Sequence, residues 1–247
     1  MRTGAECVIE GFKREGVKII FGYPGGQILD VFSALYHAPF EFILTRHEQG
    51  ATHMADGYAR ATGLPGVCVV TSGPGATNTV TGLATAHMDG IPMVCISGQV
   101  PSHMIGNDAF QEADTTGITR AVTKHNFLVK NVDDLPRIIA EAFEIARTGR
   151  PGPVLIDIPK DVQRASTKAA FQGPVCMRGY KPSHEGNPRQ ISKLAKAINK
   201  AHRPLFLVGG GVIAGDAASE LLAVVRRARV PVTTTLLGLG AFPDTDP

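Results

Sequence analysis

Charge excess, long apolar runs and a leader pattern are all lacking in this chain of 247 residues. Its 25 basic and 22 acidic side chains leave a formal charge of only +3, which argues against nucleic acid or an acidic membrane surface as a partner. No apolar run reaches the roughly 18 residues of a membrane-spanning helix, and the first residues lack the pattern of a signal peptide. We therefore expect a cytoplasmic protein that binds neither nucleic acid nor a membrane.

Cysteine is also scarce, and no Cys-x-x-Cys pair occurs. Because two of the cysteines lie inside apolar, strand-like runs, we interpret all of them as core residues in a reducing compartment rather than as disulfide partners. The histidines lack metal-ligand spacing and no His-Glu-x-x-His motif occurs, so no metal site made by this chain alone is predicted. The four cysteines are Cys7, Cys68, Cys95 and Cys176.

The two common phosphate-binding motifs are missing too. The sequence contains no Gly-x-x-x-x-Gly-Lys-Ser/Thr loop and no clean Gly-x-Gly-x-x-Gly, so neither a P-loop nor a typical Rossmann site is expected. Glycine itself is plentiful, with 28 residues, and glycine-rich turns at 22–26, 73–75 and 98–106 each follow a predicted strand. Such turns let a ligand approach the backbone, although ordinary turn formation is the favoured explanation for any one of them alone.

Apolar strand patterns alternate with helical patterns through the first 160 residues. Continuous apolar runs such as 66–71, 92–98 and 153–159 are typical of strands covered on both faces. The alternation predicts an α/β fold, a doubly wound parallel sheet, over residues 1–165.

A second α/β pattern follows a segment of different character. Residues 166–188 show no sustained period and contain the turn-forming segments Gly-Pro at 173–174, Lys-Pro-Ser at 181–183 and Gly-Asn-Pro at 186–188, so we predict a linker there. Residues 189–247 carry only two strand and two helix patterns, which are too few for an independent domain. We therefore expect the start of a second, incomplete α/β domain in a truncated chain.

Three places could carry chemistry. Glu48 follows the strand at 40–44 and lies in the first turn of a helix, at the sheet edge where α/β proteins hold ligands, although a carboxylate there can also serve only the helix dipole. The Gly-Gly-Gly turn at 209–211 could present amides to a pyrophosphate, or could simply be flexible. Arg150, in a Gly-Arg-Pro-Gly-Pro turn, could bind a phosphate or be solvated.

Several motifs in fixed order resemble a known family. Phe-Gly-Tyr-Pro-Gly-Gly at 21–26, Arg-His-Glu-Gln-Gly-Ala at 46–51, Thr-Ser-Gly-Pro-Gly-Ala-Thr-Asn at 71–78 and Gly-Gln-Val-Pro at 98–101 resemble the thiamine-diphosphate enzymes of the pyruvate decarboxylase and oxidase superfamily. Further segments are similar to the catalytic large subunits of acetolactate synthase, also called acetohydroxyacid synthase. These segments lie at 105–112, 123–126, 149–154 and 157–162.

The resemblance implies a cofactor site in the first domain. Glu48 matches the glutamate that hydrogen-bonds N1′ of the aminopyrimidine of thiamine diphosphate and favours its imino tautomer, and Gln111 matches a residue pointing into the reaction space. Phe110 and Lys160 match the substrate channel. The other residues matching the pyrimidine side are Pro24, Gly25, Thr71, Pro74 and Asn78. Residues matching positions that hold FAD are Arg150, Gly209, Gly210, Gly211, Thr235, Leu236 and Leu237.

The family's activity is decarboxylation of pyruvate and carboligation to a second 2-keto acid, the first common step toward valine and isoleucine. In that family Mg²⁺ and the diphosphate are held by a third domain with a Gly-Asp-Gly segment, which this sequence lacks: at 215–217 it has Gly-Asp-Ala. The resemblance therefore implies an isolated chain that is inactive, a homodimer or tetramer in the complete protein, and a regulatory small subunit.

Other readings remain open at this point. A pyruvate oxidase or another thiamine-diphosphate keto-acid carboligase would share the four motifs, although the segments at 105–112 and 123–126 argue against it. Glyoxylate carboligase is disfavoured because its family lacks the glutamate found here as Glu48. A non-catalytic flavin-binding or partner-binding remnant is a different class. A purely structural α/β protein would leave the joint occurrence of the motifs unexplained.

Overall fold

The computed structural model describes residues 1–246 and divides the chain into two compact units. The first unit is Met1–Pro182 and the second begins at Ser183, within the segment predicted as a linker. No helix among the described residues has the length and apolar character needed to cross a membrane.

The first unit alternates strands with helices along most of its length. In chain order its elements are β1 (Arg2–Thr3), α1 (Gly4–Arg14), β2 (Ile19–Gly22), α2 (Leu29–Tyr36), β3 (Glu41–Leu44), α3 (Glu48–Thr62), β4 (Gly66–Val70), α4 (Pro74–Thr77), α5 (Val80–Asp89), β5 (Met93–Gln99), α6 (Thr115–Thr119), β6 (His125–Leu128), α7 (Leu135–Arg147), β7 (Pro153–Pro159), α8 (Lys160–Arg164) and β8 (Ser166–Thr167). Short 3₁₀ turns lie at Ser102–Met104 and Val132–Asp134.

Six parallel strands form the central sheet, in the order β3-β2-β4-β5-β7-β6. Every residue of β4, β5 and β7 is buried, which agrees with their continuous apolar sequences and with helices on both faces. The predicted doubly wound parallel sheet is confirmed. Because all six strands run in one direction, their carboxyl ends meet at one edge of the sheet.

Two apolar layers cover the sheet. On one face α1, α2 and α7 pack on β4, β5 and β7, with the fully buried rings of Phe12 and Phe143 in edge contact. On the other face α3 and α5 pack around Cys68, Cys95 and Leu155. The placement of cysteines in the core is thus confirmed for Cys7, Cys68 and Cys95, whereas Cys176 is exposed.

Local sequence explains where α1 begins. Thr3 accepts a hydrogen bond from the amide of Glu6, and the Glu6 carboxylate accepts one from the amide of Thr3, so the two residues form a capping box. Two helices, α4 and α5, follow β4 in succession. They are separated at Thr79, whose hydroxyl and amide both donate to the carbonyl of Ala76.

The first part of the predicted linker is not a linker. Ser166 and Thr167 pair antiparallel with Arg2 and Thr3, because the edge formed by β1 offers unpaired backbone groups to the returning chain. Farther along, the Tyr180 hydroxyl donates to the carbonyl of Thr148 at 2.8 Å. Residues 166–182 therefore belong to the first unit.

The second unit contains a small parallel pair of strands. Its elements are α9 (Pro188–Lys200), β9 (Phe206–Val208), α10 (Gly211–Ala214), α11 (Ala218–Ala228), β10 (Val232–Thr234) and a 3₁₀ turn at Leu236–Gly238. Strands β9 and β10 pair in parallel register, with Val208 opposite Thr234. The expected βα pattern is present, with one additional short helix that begins at Gly211, the last of the three consecutive glycines.

Candidate functional site

Glu48 is the first residue of α3 and lies beyond the carboxyl end of β3. Its helix is capped by His47, whose Nδ1 accepts a hydrogen bond from the amide of Gln49 at 3.1 Å. The Glu48 side chain is nevertheless buried, with 8% of the residue exposed. A carboxylate that served only the helix dipole would remain in solvent, so its burial indicates that Glu48 faces a defined site.

The turn after β4 closes on the Glu48 carboxylate. Asn78 Nδ2 donates to Glu48 Oε2 at 3.0 Å and fixes the orientation of the carboxylate. A Cβ atom at Gly75 would lie 3.3 Å from Glu48 Oε1 and 2.6 Å from Thr71 Cγ2, so only glycine fits this approach. The other carboxylate oxygen, Oε1, accepts no hydrogen bond from the described residues and is available to an external donor.

Thr71 joins this turn to the turn after β2. Its hydroxyl accepts a hydrogen bond from the amide of Gln27 at 3.3 Å, and a Cβ atom at Gly25 would lie 2.5 Å from its methyl carbon. From the other side, Lys160 Nζ donates to the carbonyl of Gly26 at 2.7 Å. Gln163 Nε2 donates to the carbonyl of Gln27 at 2.7 Å. The turn at 22–27 is thus held on both sides.

The segment at 105–113 forms the third wall. A Cβ atom at Gly73, where φ is +54°, would lie 2.3 Å from the carbonyl oxygen of Gln111, so the two backbones touch. Gln111 is exposed, and the neighbouring Phe110 is 83% exposed. Two motifs separated by almost forty residues are therefore brought together at the sheet edge that also carries Glu48.

A buried carboxyl group lies beneath this wall. Ser97 Oγ donates to Asp157 Oδ1 at 2.7 Å, and Gln99 Nε2 donates to Asp157 Oδ2 at 2.9 Å and to the carbonyl of Ala113 at 3.0 Å. Burial raises the pKa of Asp157 to about 7, although the hydrogen bonds from Ser97 and Gln99 oppose the shift. Asp114 contributes a smaller increase through its negative charge.

The arrangement fits an aminopyrimidine ring. Glu48 Oε1 accepts no hydrogen bond from the described residues and can accept one from a ring nitrogen that carries a proton, and Gly25 and Gly75 keep the surrounding walls free of side chains. Three polar atoms, Ser72 Oγ, Gln27 Oε1 and Gln163 Oε1, are buried without a partner among residues 1–246. Over the same residues, no group of three or more His, Cys, Asp or Glu side chains is arranged to hold a metal ion.

The residues expected to hold FAD fall in both units. In the second unit, a Cβ atom at Gly210 would lie 2.9 Å from the carbonyl of Leu237, and one at Gly209 would lie 3.7 Å from Thr235 Oγ1. The two turns at the carboxyl ends of β9 and β10 are therefore adjacent. In the first unit, Arg150 donates to the carbonyl of Met88 at 2.5 Å, at the carboxyl end of α5.

Two family models match the chain. Residues 2–118 match the model described as thiamine pyrophosphate enzyme, N-terminal TPP binding domain. Residues 191–247 match the model described as thiamine pyrophosphate enzyme, central domain. The chain belongs to the thiamine pyrophosphate enzyme family. Thiamine pyrophosphate is the same compound as thiamine diphosphate, so the resemblance inferred from the motifs is confirmed.

Members of this family named acetolactate synthase are similar to the chain over its whole length. It is 53% identical to the probable acetolactate synthase large subunit of Methanocaldococcus jannaschii, over 99% of this chain and 42% of that protein. It is 51% identical to the acetolactate synthase large subunit of Haemophilus influenzae, over 99% of this chain and 43% of that protein. The chain thus spans about two fifths of the length of these curated relatives.

Sequence reasoning missed the residues that support the site from behind. Asp157 was noted only as part of a motif, yet an acidic residue within the apolar strand Pro153–Pro159 was a usable signal, because a buried carboxylate needs partners. Gln99 and Ser97 sit in the adjacent strand, and Ser97 is directly opposite Asp157 in the register. Gln163 gave no signal, since α8 was not predicted.

Proposed function

We propose that the chain is the N-terminal portion of an acetolactate synthase large subunit. The observation that carries this proposal is the buried Glu48 carboxylate, oriented by Asn78 and open at Oε1 between the glycine turns. Relatives that are 51–53% identical over 98–99% of this chain are named acetolactate synthase large subunit. The reaction proposed for the complete protein is the one that the motif resemblance implies, decarboxylation of pyruvate and carboligation to a second 2-keto acid. Three buried free thiols agree with a cytoplasmic location.

The chain's own residues would bind and activate the pyrimidine half of the cofactor. Thiamine diphosphate, when bound, supplies the electron sink for this chemistry. Glu48 would hold a proton at the ring nitrogen N1′, and Asn78 would keep the carboxylate in the orientation this needs. Pro24, Gly25, Thr71 and Pro74 belong to the two turns that face Glu48 and would line the ring. Lys160 would act by holding the carbonyl of Gly26, in addition to lying beside the substrate channel.

Gln111 and Phe110 would face the 2-keto acids. Both side chains belong to the segment that touches Gly73, and both are exposed where a substrate would approach. Their positions support a division of the site in which Glu48 serves the cofactor and the segment at 105–113 serves the substrates.

FAD, Mg²⁺ and further subunits complete the proposal. The adjacent turns of the second unit, at 209–211 and 235–237, would hold FAD. Mg²⁺ and the diphosphate would be held by residues outside these 247, since the relatives are more than twice as long. A homodimer or tetramer and a regulatory small subunit are part of the same proposal. The 247-residue chain alone is then expected to show no turnover.

The test uses the complete gene product with Glu48→Gln, and with Glu41→Gln as a control at the exposed opposite end of β3. Acetolactate formation from pyruvate, with thiamine diphosphate and Mg²⁺ supplied, is expected to fall by about 10²-fold or more in Glu48→Gln and to stay unchanged in the control. Exchange of the cofactor's C2 proton for deuterium, followed by NMR, should slow in parallel.

Three results would overturn this reading. Oxygen consumption without acetolactate would indicate an oxidase of the same family. A Glu48→Gln protein with C2 exchange as fast as the unaltered protein would remove the role given to Glu48. A flavin spectrum with no response to thiamine diphosphate would instead support the non-catalytic remnant.

A further inference from the structure

The segment at 105–113 adopts a conformation that its own residues do not favour. Asp108 has φ of +52° and Gln111 has φ of +58°, and both are non-glycine residues in the left-handed region. Such residues persist only where their surroundings hold them in place. Some contact outside these two residues must therefore maintain the shape of the segment.

Glu112 makes that contact. Its Oε1 accepts a hydrogen bond from the amide of Gly106 at 2.5 Å, and its Oε2 accepts one from the amide of Ala109 at 2.8 Å. The amide of Glu112 in turn donates to the carbonyl of Ala109 at 3.0 Å. One carboxylate therefore ties the beginning and the middle of the segment to its end, across both strained residues.

The charge on Glu112 matters for these bonds. The hydrogen bonds from the backbone N–H groups hold the pKa of the Glu112 carboxyl below its ordinary value, and the bond from Gly106 contributes more than the bond from Ala109. Bonds from amides to a carboxylate are stronger than bonds to a neutral oxygen. A glutamine at this position has one carbonyl oxygen and one NH₂ group, so it can accept from only one of the two amides.

The segment at 105–113 contacts the rest of the site through Gln111 and Ala113. The backbone of Gln111 lies against Gly73, in the turn that also orients Asn78 toward Glu48. The carbonyl of Ala113 accepts from Gln99 Nε2 at 3.0 Å. If the hydrogen bonds of Glu112 were lost and the segment changed shape, Phe110 and Gln111 would therefore move relative to the cofactor side of the site.

We propose that Glu112 is a positioning residue of the substrate side, holding the backbone that carries Phe110 and Gln111, with Gln111 against the turn after β4. The kinetic consequence of this inference rests on the proposed function, whereas the structural role of Glu112 in the segment at 105–113 does not. Glu112 touches neither cofactor nor substrate in this scheme. It acts by maintaining the backbone on which the two substrate-facing side chains are carried.

The structural arm of the test needs no catalysis. Hydrogen exchange of the Gly106 and Ala109 amides is measured on the protein without cofactor or substrate, for Glu112→Gln, Glu112→Ala and the control Glu10→Gln, which removes only an exposed ion pair on α1. Exchange at one amide in Glu112→Gln, and at both in Glu112→Ala, is expected to rise roughly 3- to 10-fold. The control should leave both amides unchanged.

The kinetic arm uses the complete gene product. Both Glu112 variants should raise the KM for pyruvate or lower kcat, while the concentration of thiamine diphosphate that gives half-maximal binding stays the same. Unchanged amide exchange would overturn the proposal whatever the enzyme does. Faster exchange with unaltered pyruvate kinetics would overturn the positioning role. Absence of acetolactate synthesis in the unaltered protein would count against the proposed function and leave the exchange result to decide the structural role of Glu112.

Discussion

Replacing Asp157 with asparagine should make the protein's stability less dependent on pH. Asp157 is only 1% exposed, and burial raises its pKa to about 7, compared with 3.8 for an unperturbed aspartate. Asparagine cannot ionise, yet it can keep both contacts. Its Oδ1 can accept from Gln99 Nε2 while its Nδ2 donates to Ser97 Oγ, which as a hydroxyl can also accept.

The size and sign of the effect follow from the two pKa values. Below pH 4 the carboxyl is protonated in both the folded and the unfolded chain, so its ionisation costs no stability. Between pH 4 and pH 7 only the unfolded chain ionises, and the free energy of unfolding falls by about 1.4 kcal/mol per pH unit. Above pH 7 both states are ionised and the loss levels off at about 4 kcal/mol.

The assay is urea unfolding of the unaltered chain and of Asp157→Asn at several pH values between 4 and 8. The difference between their free energies of unfolding should move in favour of Asp157→Asn by about 4 kcal/mol across this range. Comparing the two proteins at each pH cancels the contribution of all other titrating groups. NMR of the Asp157 carboxyl carbon should show a midpoint near pH 7. A constant difference, together with a midpoint near 4, would refute the argument that burial outweighs the two hydrogen bonds.

Two further substitutions test how the site is supported. Lys124 Nζ donates to the carbonyls of Ile145 and Thr148 at 2.6 Å each, at the end of α7. Lys124→Met should therefore lower the free energy of unfolding by about 1–3 kcal/mol. The control Lys130→Met, at an exposed position, should leave it unchanged. A Cβ atom at Gly98 would lie 2.4 Å from the carbonyl oxygen of Gln27, so Gly98→Ala should displace the turn at 22–27 and weaken the binding of thiamine diphosphate to the complete gene product. The measurement is a titration with thiamine diphosphate, and the control is Gly57→Ala, which adds a Cβ into open space. Equal affinities of the two variants would contradict the reasoning.

Periodicity alone was enough to predict the sheet and the positions of its buried strands. The apolar runs at 66–71, 92–98 and 153–159 are β4, β5 and β7 in the structure, and β7 has the predicted bounds. Each run is continuously apolar, which is the pattern of a strand covered on both faces. The family also followed from the sequence, because motifs such as the one around Glu48 are long, specific and collinear.

Tertiary contacts decided what sequence patterns could not specify. Asp157, Gln99 and Ser97 meet because β5 and β7 pair in one register, and nothing local to any of them predicts that pairing. The carboxylate bonds of Glu112 required the backbone path of the segment at 105–113, which includes two residues in an unfavourable conformation.

The chain's local chemistry therefore determined the helices, the strands and the glutamate that marks the family. The fold alone determined which distant groups became partners of that glutamate. Asn78 lies thirty residues from Glu48 in the chain and 3.0 Å from it in space. The reason is physical: propensity and periodicity act over a few neighbouring residues, whereas the closing of the sheet edge depends on the packing of every strand and helix together.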